Sequence, residues 1–279
     1  MTPLLAPDPA LDAYESLAPF YDEFTTSYDH ERWLANIESL ALGLGLTGVR
    51  LLDVGCGTGK SFMPMLRRGY EVTACDLSPA MVEVARGRSG CEAVDVVTAD
   101  MRDLPELGLF DLATCLDDGL NYLLSAADLT KTFVGVKRNL REGGLFVFDV
   151  NSLATYRREF ASQAVVERQD TVFSWLGAGR PDAEPGAVSS AVIEVFSSED
   201  GERRLQARSR HVQRHHPPEL VKASLREAGF ELVALRGQVT GARLEAAPDE
   251  TRHVKLVYFA RKPHGARAPR ASRKEVLAC

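Results

Sequence analysis

The stretch VRLLDVGCGTGK, residues 49–60, decides the fold, because an apolar run leads directly into three glycines at alternate positions. The apolar run predicts a buried strand, and the residues from Lys60 onward have a helical pattern. Glycine lets the backbone turn sharply and approach a ligand closely, and open α/β sheets bind ligands at the carboxyl ends of such strands. The stretch therefore predicts the first strand, the ligand-binding loop and the first crossover helix of an α/β protein.

The stretch matches two other types of glycine-rich loop motif only in part. A dinucleotide-binding loop, G-x-G-x-x-G, needs its third glycine at the position of Lys60. A P-loop needs its first glycine where Val54 stands, although Gly59-Lys60-Ser61 matches its end. Both patterns are therefore incomplete here.

Short apolar runs alternate with helical patterns up to about residue 150. This alternation predicts a doubly wound, mostly parallel sheet. The predicted strands are residues 49–54, 71–75, 94–98, 109–115 and 144–150. The predicted helices are residues 31–44, 60–68, 79–88 and 126–139.

After residue 150 the pattern changes to three longer segments, 165–175, 189–198 and 203–214, in which polar and apolar residues alternate. Such alternation predicts antiparallel strands with one exposed face. A helix from residue 217 to about 228 with Gly229 as its C-cap, and strands at 231–235 and 254–260, complete the chain. We therefore expect an antiparallel meander that covers the substrate.

The chain has 279 residues, of which 45% are hydrophobic and 26% charged, and a net charge of −6, as in ordinary globular proteins. No run approaches the roughly 18 apolar residues of a membrane span, and the N-terminus lacks the features of a signal peptide, so we expect a cytoplasmic protein. Five cysteines without a C-x-x-C pair argue against a disulfide framework and a zinc site. The negative charge argues against nucleic-acid binding.

The heptapeptide D-V-G-C-G-T-G, residues 53–59, resembles the first motif of the class I S-adenosylmethionine-dependent methyltransferases. The resemblance covers residues 14–160 well and residues 205–260 more loosely. It implies a doubly wound α/β fold with a seven-stranded sheet, and S-adenosyl-L-methionine as cofactor with S-adenosyl-L-homocysteine as product. The expected regions are an N-terminal helical lid (1–46), a cofactor-binding core (47–160), an antiparallel insertion after strand five (161–216), a C-terminal completion of the sheet (217–262) and a basic, disordered tail (263–279).

The resemblance also assigns cofactor contacts. Asp76, at the end of the second predicted strand, corresponds to the residue that binds the ribose hydroxyls; it could also cap the next helix, for which Ser78 is the better candidate. Asp100 corresponds to the residue that binds the adenine amino group, and Met101 offers its backbone N–H to the ring. The other expected contacts are Asp53, Gly55, Cys56, Gly57 and Gly59 of the first motif, with Leu77 and Leu116.

The segment Y-E-S-L-A-P-F-Y-D, residues 14–22, resembles the lead-in of small-molecule methyltransferases, including amino-sugar N-methyltransferases. In these relatives the lead-in covers the cofactor, and its second tyrosine reaches the methionyl carboxylate. This role falls to Tyr21 here, with Trp33 of the following helix as a further expected contact. Packing of an amphipathic lid helix is the alternative explanation for both aromatic residues.

The segment C-L-D-D-G-L-N-Y, residues 115–122, resembles a pattern of one bacterial branch in which an aromatic residue usually stands at the position of Asp117. The change makes this rim acidic, and one of two adjacent buried carboxylates can have a raised pKa and accept a proton. Strand alternation would place His211, Gln213 and His215 on one face. The candidate catalytic residues are Asp118, Asp117, Tyr14 and His215, with His211 and His216 as further candidate bases.

Several alternatives remain open at this point. Asp117 or Asp118 with Asp149 and Asn151 would suit Mg²⁺, but F-D-V-N also resembles a metal-free branch, so we expect no metal. We expect a small-molecule acceptor, a secondary metabolite or a sugar, methylated on nitrogen (slightly favoured) or oxygen. An RNA or protein acceptor, and cofactor binding without catalysis, are the alternatives. We expect a monomer or homodimer.

Overall fold

The computed structural model describes residues 8–88, 90–168, 170–199 and 202–265. Its helices are α1 (Pro9–Leu17), α2 (Tyr21–Phe24), α3 (His30–Gly43), α4 (Met63–Arg67), α5 (Pro79–Arg86), α6 (Ala126–Asn139), α7 (Leu153–Arg158) and α8 (Pro218–Glu227). Its strands are β1 (Arg50–Val54), β2 (Glu71–Asp76), β3 (Asp95–Thr98), β4 (Phe110–Cys115), β5 (Leu140–Asn151), β6 (Gln163–Glu167), β7 (Thr171–Gly177), β8 (Val188–Glu199), β9 (Glu202–Arg214), β10 (Glu231–Val239), β11 (Arg243–Glu245) and β12 (Lys255–Arg261). Most of the expected basic tail, from residue 266 on, and Cys279 lie outside the described residues.

The larger sheet has eight strands in the order β11-β10-β12-β5-β4-β1-β2-β3. Strands β1 to β5 run parallel, whereas β12 is antiparallel to both β5 and β10. This arrangement confirms the predicted doubly wound α/β class, with one strand more than the seven expected. The extra strand is the short β11, which forms because the chain turns back at Gly241 and Ala242, both with left-handed backbone angles.

The smaller sheet is antiparallel, in the order β6-β7-β8-β9. The prediction of a single strand over residues 165–175 is wrong, because this segment spans the end of β6 and most of β7, which pair as a hairpin. The Arg168 amide donates to the Thr171 carbonyl and closes the connection. The polar residues between Glu167 and Thr171 interrupt the apolar alternation at this point.

Two predicted boundaries also change for identifiable reasons. The helix expected from residue 60 begins only at Met63, because Pro64 lacks an N–H and is suited to the first helical turn. The strand expected at 231–235 continues to Val239, since it pairs with β12 along most of its length. By contrast, α6 has the predicted bounds. The prediction of Gly229 as the C-cap of α8 is off by one residue, because the C-cap is Ala228 and Gly229 follows it with a left-handed φ of 77°.

Apolar residues pack on both faces of the larger sheet. One face is covered by α3 and α4, with Leu34, Ile37 and Met65 buried. The other face is covered by α6 and α8, with Phe133 and Leu225 buried. The sheet is therefore buried on both sides, and ligands can reach it at its edges and at its strand ends.

Residues 8–24, which carry α1 and α2 and form part of the expected N-terminal lid, lie between the two sheets and are called the lid from here on. Leu17 packs in a cluster with Phe173 and Ile193 of the smaller sheet. Polar contacts attach the lid to segments on the larger sheet's side of the molecule. They join Asp8 to Arg102 (2.6 Å), Glu15 to Ser78 Oγ (2.6 Å), Asp22 to Thr58 Oγ1 (2.6 Å), and Asp22 to Arg88. Asp8, Glu15 and Asp22 thus hold the lid over the strand ends.

Among the described residues, no helix is long and apolar enough to cross a membrane. Cys56, Cys75, Cys91 and Cys115 are buried free thiols.

Candidate active site

The loop after β1 is built for close approach by a ligand. Gly55, Gly57 and Gly59 all have positive φ angles, of 71°, 53° and 88°. A Cβ added to Gly59 would lie 2.7 Å from Phe62 Cζ, whereas one added to Gly57 would meet nothing closer than 3.8 Å. Gly59 is therefore required by packing, and Gly57 leaves free space above the loop.

Asp76 at the end of β2 is held by backbone amides. Its Oδ2 accepts from the Gly57 amide (2.8 Å) and its Oδ1 from the Ser78 amide (2.9 Å). Burial raises the pKa of Asp76, although these amides oppose the shift. Each carboxylate oxygen has a second lone-pair site, so the pair can still accept from two hydroxyls. Ser78 caps α5 by accepting from the Met81 amide, as the sequence favoured.

Asp100 after β3 forms a two-pronged contact with Arg102, at 2.9 Å to Nε and 2.6 Å to Nη2. Arg102 also contacts Asp8 at the start of the lid. Burial acts to raise the pKa of Asp100, but the hydrogen bonds from Arg102 outweigh it and lower the pKa. The Met101 Cε lies near Gly55, at 3.3 Å from a Cβ built there.

These residues line one cavity, the first cavity, under the lid. Its walls include most of the expected cofactor contacts: Tyr21, Gly55, Cys56, Gly57, Asp76, Leu77, Asp100, Met101 and Leu116. The wall of the first cavity combines carboxylates at two strand ends with an open glycine loop. This combination suits a nucleoside that carries an amino acid side arm.

The other three expected contacts do not line the first cavity. Asp53 is buried and accepts from Ser61 Oγ (2.5 Å) and Thr114 Oγ1 (2.6 Å), and burial raises its pKa to about 6. Gly59 packs against Phe62, and Trp33 lines a different cavity. Asp53 and Gly59 thus stabilise the glycine loop through contacts within the protein, away from the first cavity.

A second cavity of about 730 Å³ lies between the lid, the smaller sheet and the β10–β12 edge. Apolar and aromatic side chains line much of it: Leu17, Phe24, Trp33, Phe160, Val166, Trp175 and Ile193. Of the residues that the structure describes, five line both cavities: Tyr14, Tyr21, His30, Asp117 and Tyr122. We call these five the junction.

Asp117 and Asp118 both have left-handed φ angles, of 58° and 56°. Such conformations cost about 1–3 kcal/mol each in residues other than glycine, so the surroundings must hold them. The Asp118 amide donates to Asp149 Oδ1 (3.1 Å), and Gln213 Nε2 donates to Asp118 Oδ2 (2.6 Å). The turn therefore places the Asp117 and Asp118 carboxylates at the wall of the second cavity, and Asp117 also lines the first.

Lys255 neutralises part of this charge. Its Nζ lies 2.8 Å from Asp118, 2.7 Å from Asp149 and 3.6 Å from Asp117. Burial raises the pKa of Asp149 to about 6, with Lys255 opposing the shift. Burial also acts on Asp117, but Lys255 and His30 outweigh it and lower its pKa. The three carboxylates considered for a magnesium site, Asp117, Asp118 and Asp149, thus surround an ammonium group.

A hydrogen-bonded chain starts at Tyr14 in the lid. Its hydroxyl lies 3.0 Å from that of Tyr122, which lies 2.8 Å from His211 Nδ1, and His211 Nε2 lies 2.9 Å from Ser209 Oγ. Burial lowers the pKa of His211 to about 4, so its ring is neutral near pH 7. When Tyr14 donates to Tyr122 and Tyr122 donates to Nδ1, the Tyr14 oxygen can still accept a hydrogen bond.

The remaining candidate histidines lie elsewhere. His215 lines neither cavity; its Nε2 lies 2.7 Å from Glu250 Oε1, and the Gly186 amide donates to its Nδ1. The expected alternation fails here because β9 ends at Arg214, one residue earlier. His216 is fully buried against the Leu120 carbonyl. His211 and Gln213 do line the second cavity.

His30 and Lys255 belong to this site and are absent from the sequence-based candidates, as are Tyr122 and Glu159. A lysine within the apolar run that forms β12 is a detectable signal, since a buried ammonium group needs acidic partners. His30 gives no comparable signal, because its partner Asp117 is 87 residues away.

Comparison with known proteins agrees with this architecture. A family profile described as a methyltransferase domain matches residues 51–144. A protein of Geobacillus sp. (strain WCH70), named as a methyltransferase, is 30% identical over 242 residues, covering 85% of this chain and 95% of the relative.

Solved structures agree with the fold. The crystal structure of an S-adenosylmethionine-dependent methyltransferase from Clostridium acetobutylicum ATCC 824 has a TM-score of 0.74 at 21% identity, covering 90% of this chain and 99% of the other. A sugar N-methyltransferase from Streptoalloteichus sp. ATCC 53650 has a TM-score of 0.68 at 23% identity, covering 88% and 93%. The chain therefore belongs to the methyltransferase family and has the fold of the S-adenosylmethionine-dependent members.

Proposed function

We propose that the protein transfers a methyl group from S-adenosylmethionine to a nitrogen atom of a small molecule bound in the second cavity. The observation that carries the proposal is the junction. A donor in the first cavity and an acceptor in the second can meet only where the two cavities share walls, and all five shared side chains are ionisable. Methyl transfer needs this combination of alignment and proton handling.

The first cavity is the proposed donor site. Asp76 would bind the ribose, Asp100 and Met101 the adenine, and Gly55 and Gly57 would lie beside the methionyl part. These roles follow the family resemblance, and the lining positions of the residues support them. The cofactor supplies a methyl group made electrophilic by a sulfonium, so the chain's own residues have to align the acceptor and receive its proton.

The charge of the second cavity favours an amine over an anionic acceptor. Four acidic residues line it, Asp29, Asp117, Asp118 and Glu159, against two cations, Arg168 and Lys255. The ammonium of Lys255 is already shared among Asp117, Asp118 and Asp149. Burial raises the pKa of Glu159, with the nearby charge of Asp118 adding to the effect. An acidic rim attracts an ammonium ion and repels phosphate or carboxylate groups.

The far end of the second cavity favours an apolar acceptor body. Phe160 and Trp175 meet edge to face with ring centroids 5.4 Å apart, and Phe24 of the lid adds a third ring. A cavity of about 730 Å³ is within the size range of sites for drug-sized ligands. The acceptor we propose therefore has a basic nitrogen at one end and an apolar or aromatic body.

Tyr14 is the proposed orienting group. Burial raises the pKa of Tyr14 well above its usual value, so the phenol stays protonated. Its oxygen can accept an N–H of the acceptor while its proton is directed to Tyr122. Such a contact would turn the nitrogen lone pair toward the methyl group.

The experiment is mass spectrometry of S-adenosylhomocysteine released from purified protein with S-adenosylmethionine and separate acceptor sets: aryl-alkyl amines, amino sugars, phenols and bulk tRNA, with and without a chelator. We expect release with amines, and most with aryl-alkyl amines. Release with phenols alone would overturn the assignment to nitrogen, and release with tRNA alone would overturn the small-molecule assignment. Binding of S-adenosylmethionine by calorimetry without release from any set would contradict the proposed activity.

A further inference from the structure

His30, the first residue of α3, is positioned at the junction. Asp29 caps the helix by accepting from the Arg32 amide (3.0 Å) and so fixes the helix start. The His30 side chain lines both cavities, and its Nε2 lies 2.7 Å from Asp117 Oδ2. Its Nδ1 has no hydrogen-bond partner among the side chains and backbone groups that the structure describes.

The surroundings define how this imidazole can be protonated. Asp117 carries Lys255 near its other oxygen, Oδ1, at 3.6 Å, which favours the carboxylate form. An ionised carboxylate can only accept, so Nε2 must carry the proton of the bond. In the neutral ring the lone pair then sits on Nδ1. The ionisable groups around the His30–Asp117 pair are Asp118, Asp149, Lys255, Tyr21 and Tyr28.

The other histidines near the site lack this arrangement. Both ring nitrogens of His211 are engaged, by Tyr122 and Ser209. Both ring nitrogens of His215 are engaged by Glu250 and the Gly186 amide, and this residue lines neither cavity. His30 thus combines a carboxylate on one nitrogen with a free second nitrogen at the junction.

From this geometry we infer that His30 is the catalytic base that takes the acceptor's proton, with Asp117 as its positioning residue; the inference rests on the proposed function. A proton passes from the acceptor's ammonium nitrogen to His30 Nδ1. The freed lone pair of that nitrogen then bonds to the methyl carbon, and the electron pair of the broken C–S bond stays on sulfur. The imidazolium returns its proton to solvent after the products leave.

The first test needs no acceptor. Nitrogen-15 NMR of the full chain with labelled histidine reports which ring nitrogen carries the proton, and the spectrum of His30→Gln identifies the signal. We expect the neutral His30 ring to be protonated on Nε2, because Asp117 Oδ2 can only accept there, and Asp117→Asn to weaken this preference, because an amide side chain can also donate to Nε2. Protonation on Nδ1, or an unchanged preference in Asp117→Asn, would overturn the inference.

The second test measures turnover with the amine that gives most release in the panel above. His30→Gln should lower kcat by about 100-fold or more, while the Kd for S-adenosylmethionine stays within a few-fold. His264→Gln, at an exposed histidine away from both cavities, is the matched control. In the wild type, kcat should rise with pH as the base loses its proton, and this step should vanish in His30→Gln. An active wild type with an unchanged kcat in His30→Gln would refute His30 as base but leave the methyltransferase proposal intact, whereas an inactive wild type would refute that proposal instead.

Discussion

Replacing Lys255 by methionine removes the only ammonium group that touches the Asp117, Asp118 and Asp149 carboxylates in the described part of the chain. The Lys255 side chain is only 5% exposed and that of Asp149 is fully buried, so the ion pair between them is a buried one. Breaking a buried ion pair by removing one partner costs about 3–5 kcal/mol, because a charge is left uncompensated. We expect the free energy of unfolding of Lys255→Met to fall by this amount, and Tm by roughly 6–20 °C.

Urea denaturation followed by circular dichroism measures this loss, and a double mutant tests its cause. Asp118→Asn in the Lys255→Met background removes one unpaired charge and should recover part of the lost stability. A loss below about 1 kcal/mol in Lys255→Met would be typical of an exposed ion pair and would refute the reasoning. A double mutant that is no more stable than Lys255→Met would show that packing, rather than charge, determines the loss.

The same variant should depend on pH in a definite direction. Asp149 has a pKa of about 6 beside Lys255, and without the ammonium group this value should rise further. At pH 5 the Asp149 carboxyl of the variant is therefore protonated, and less uncompensated charge remains. The stability difference between wild type and Lys255→Met should be smaller at pH 5 than at pH 8, and the opposite order would contradict the charge argument.

Three further changes test separate parts of the site. Asp76→Ala should weaken binding of S-adenosylmethionine by about 1–3 kcal/mol in calorimetry, the amount expected for lost hydrogen bonds, and unchanged affinity would refute the ribose assignment. Gly59→Ala should lower Tm more than Gly57→Ala, because its Cβ would lie 2.7 Å from Phe62 Cζ; equal effects would contradict the packing role. The pKa of Asp53 is raised to about 6, so its ionisation destabilises the fold as pH rises through 4 to 6, by up to roughly 3 kcal/mol. Relative to wild type, Asp53→Asn should therefore gain stability in urea between pH 4 and pH 8, and a constant difference would rule this out.

Features encoded by local sequence could be predicted. The glycine loop and the acidic ends of β2 and β3 follow from short patterns, because each pattern specifies one strand, one turn and one side chain at a known edge. The fold class follows from the alternation of these units. Asp76 and Asp100 are accordingly found on the wall of one cavity, as expected from their positions after parallel strands.

Features encoded by long-range pairing could not be predicted. Lys255 meets Asp118 and Asp149 because β12 pairs with β5 in a register that sets Lys255 opposite Asn151. No local pattern specifies that register. The same limit applies to His215, whose side chain leaves the expected face because β9 ends one residue before it. A strand end is determined by the partner strand and by neighbouring loops as well as by its own residues.

The two cavities draw on different parts of the chain. Within the part of the chain that the structure describes, the first is lined by residues 8–123 alone, whereas the second takes many of its walls from residues 151–255. Under the proposed function, the acceptor site can therefore be changed, apart from the junction, without altering the donor site. Libraries restricted to Val166, Trp175 and Ile193, which line the second cavity and not the first, should change the range of acceptors while the Kd for S-adenosylmethionine stays constant, and the chain would then be a starting scaffold for engineering acceptor scope.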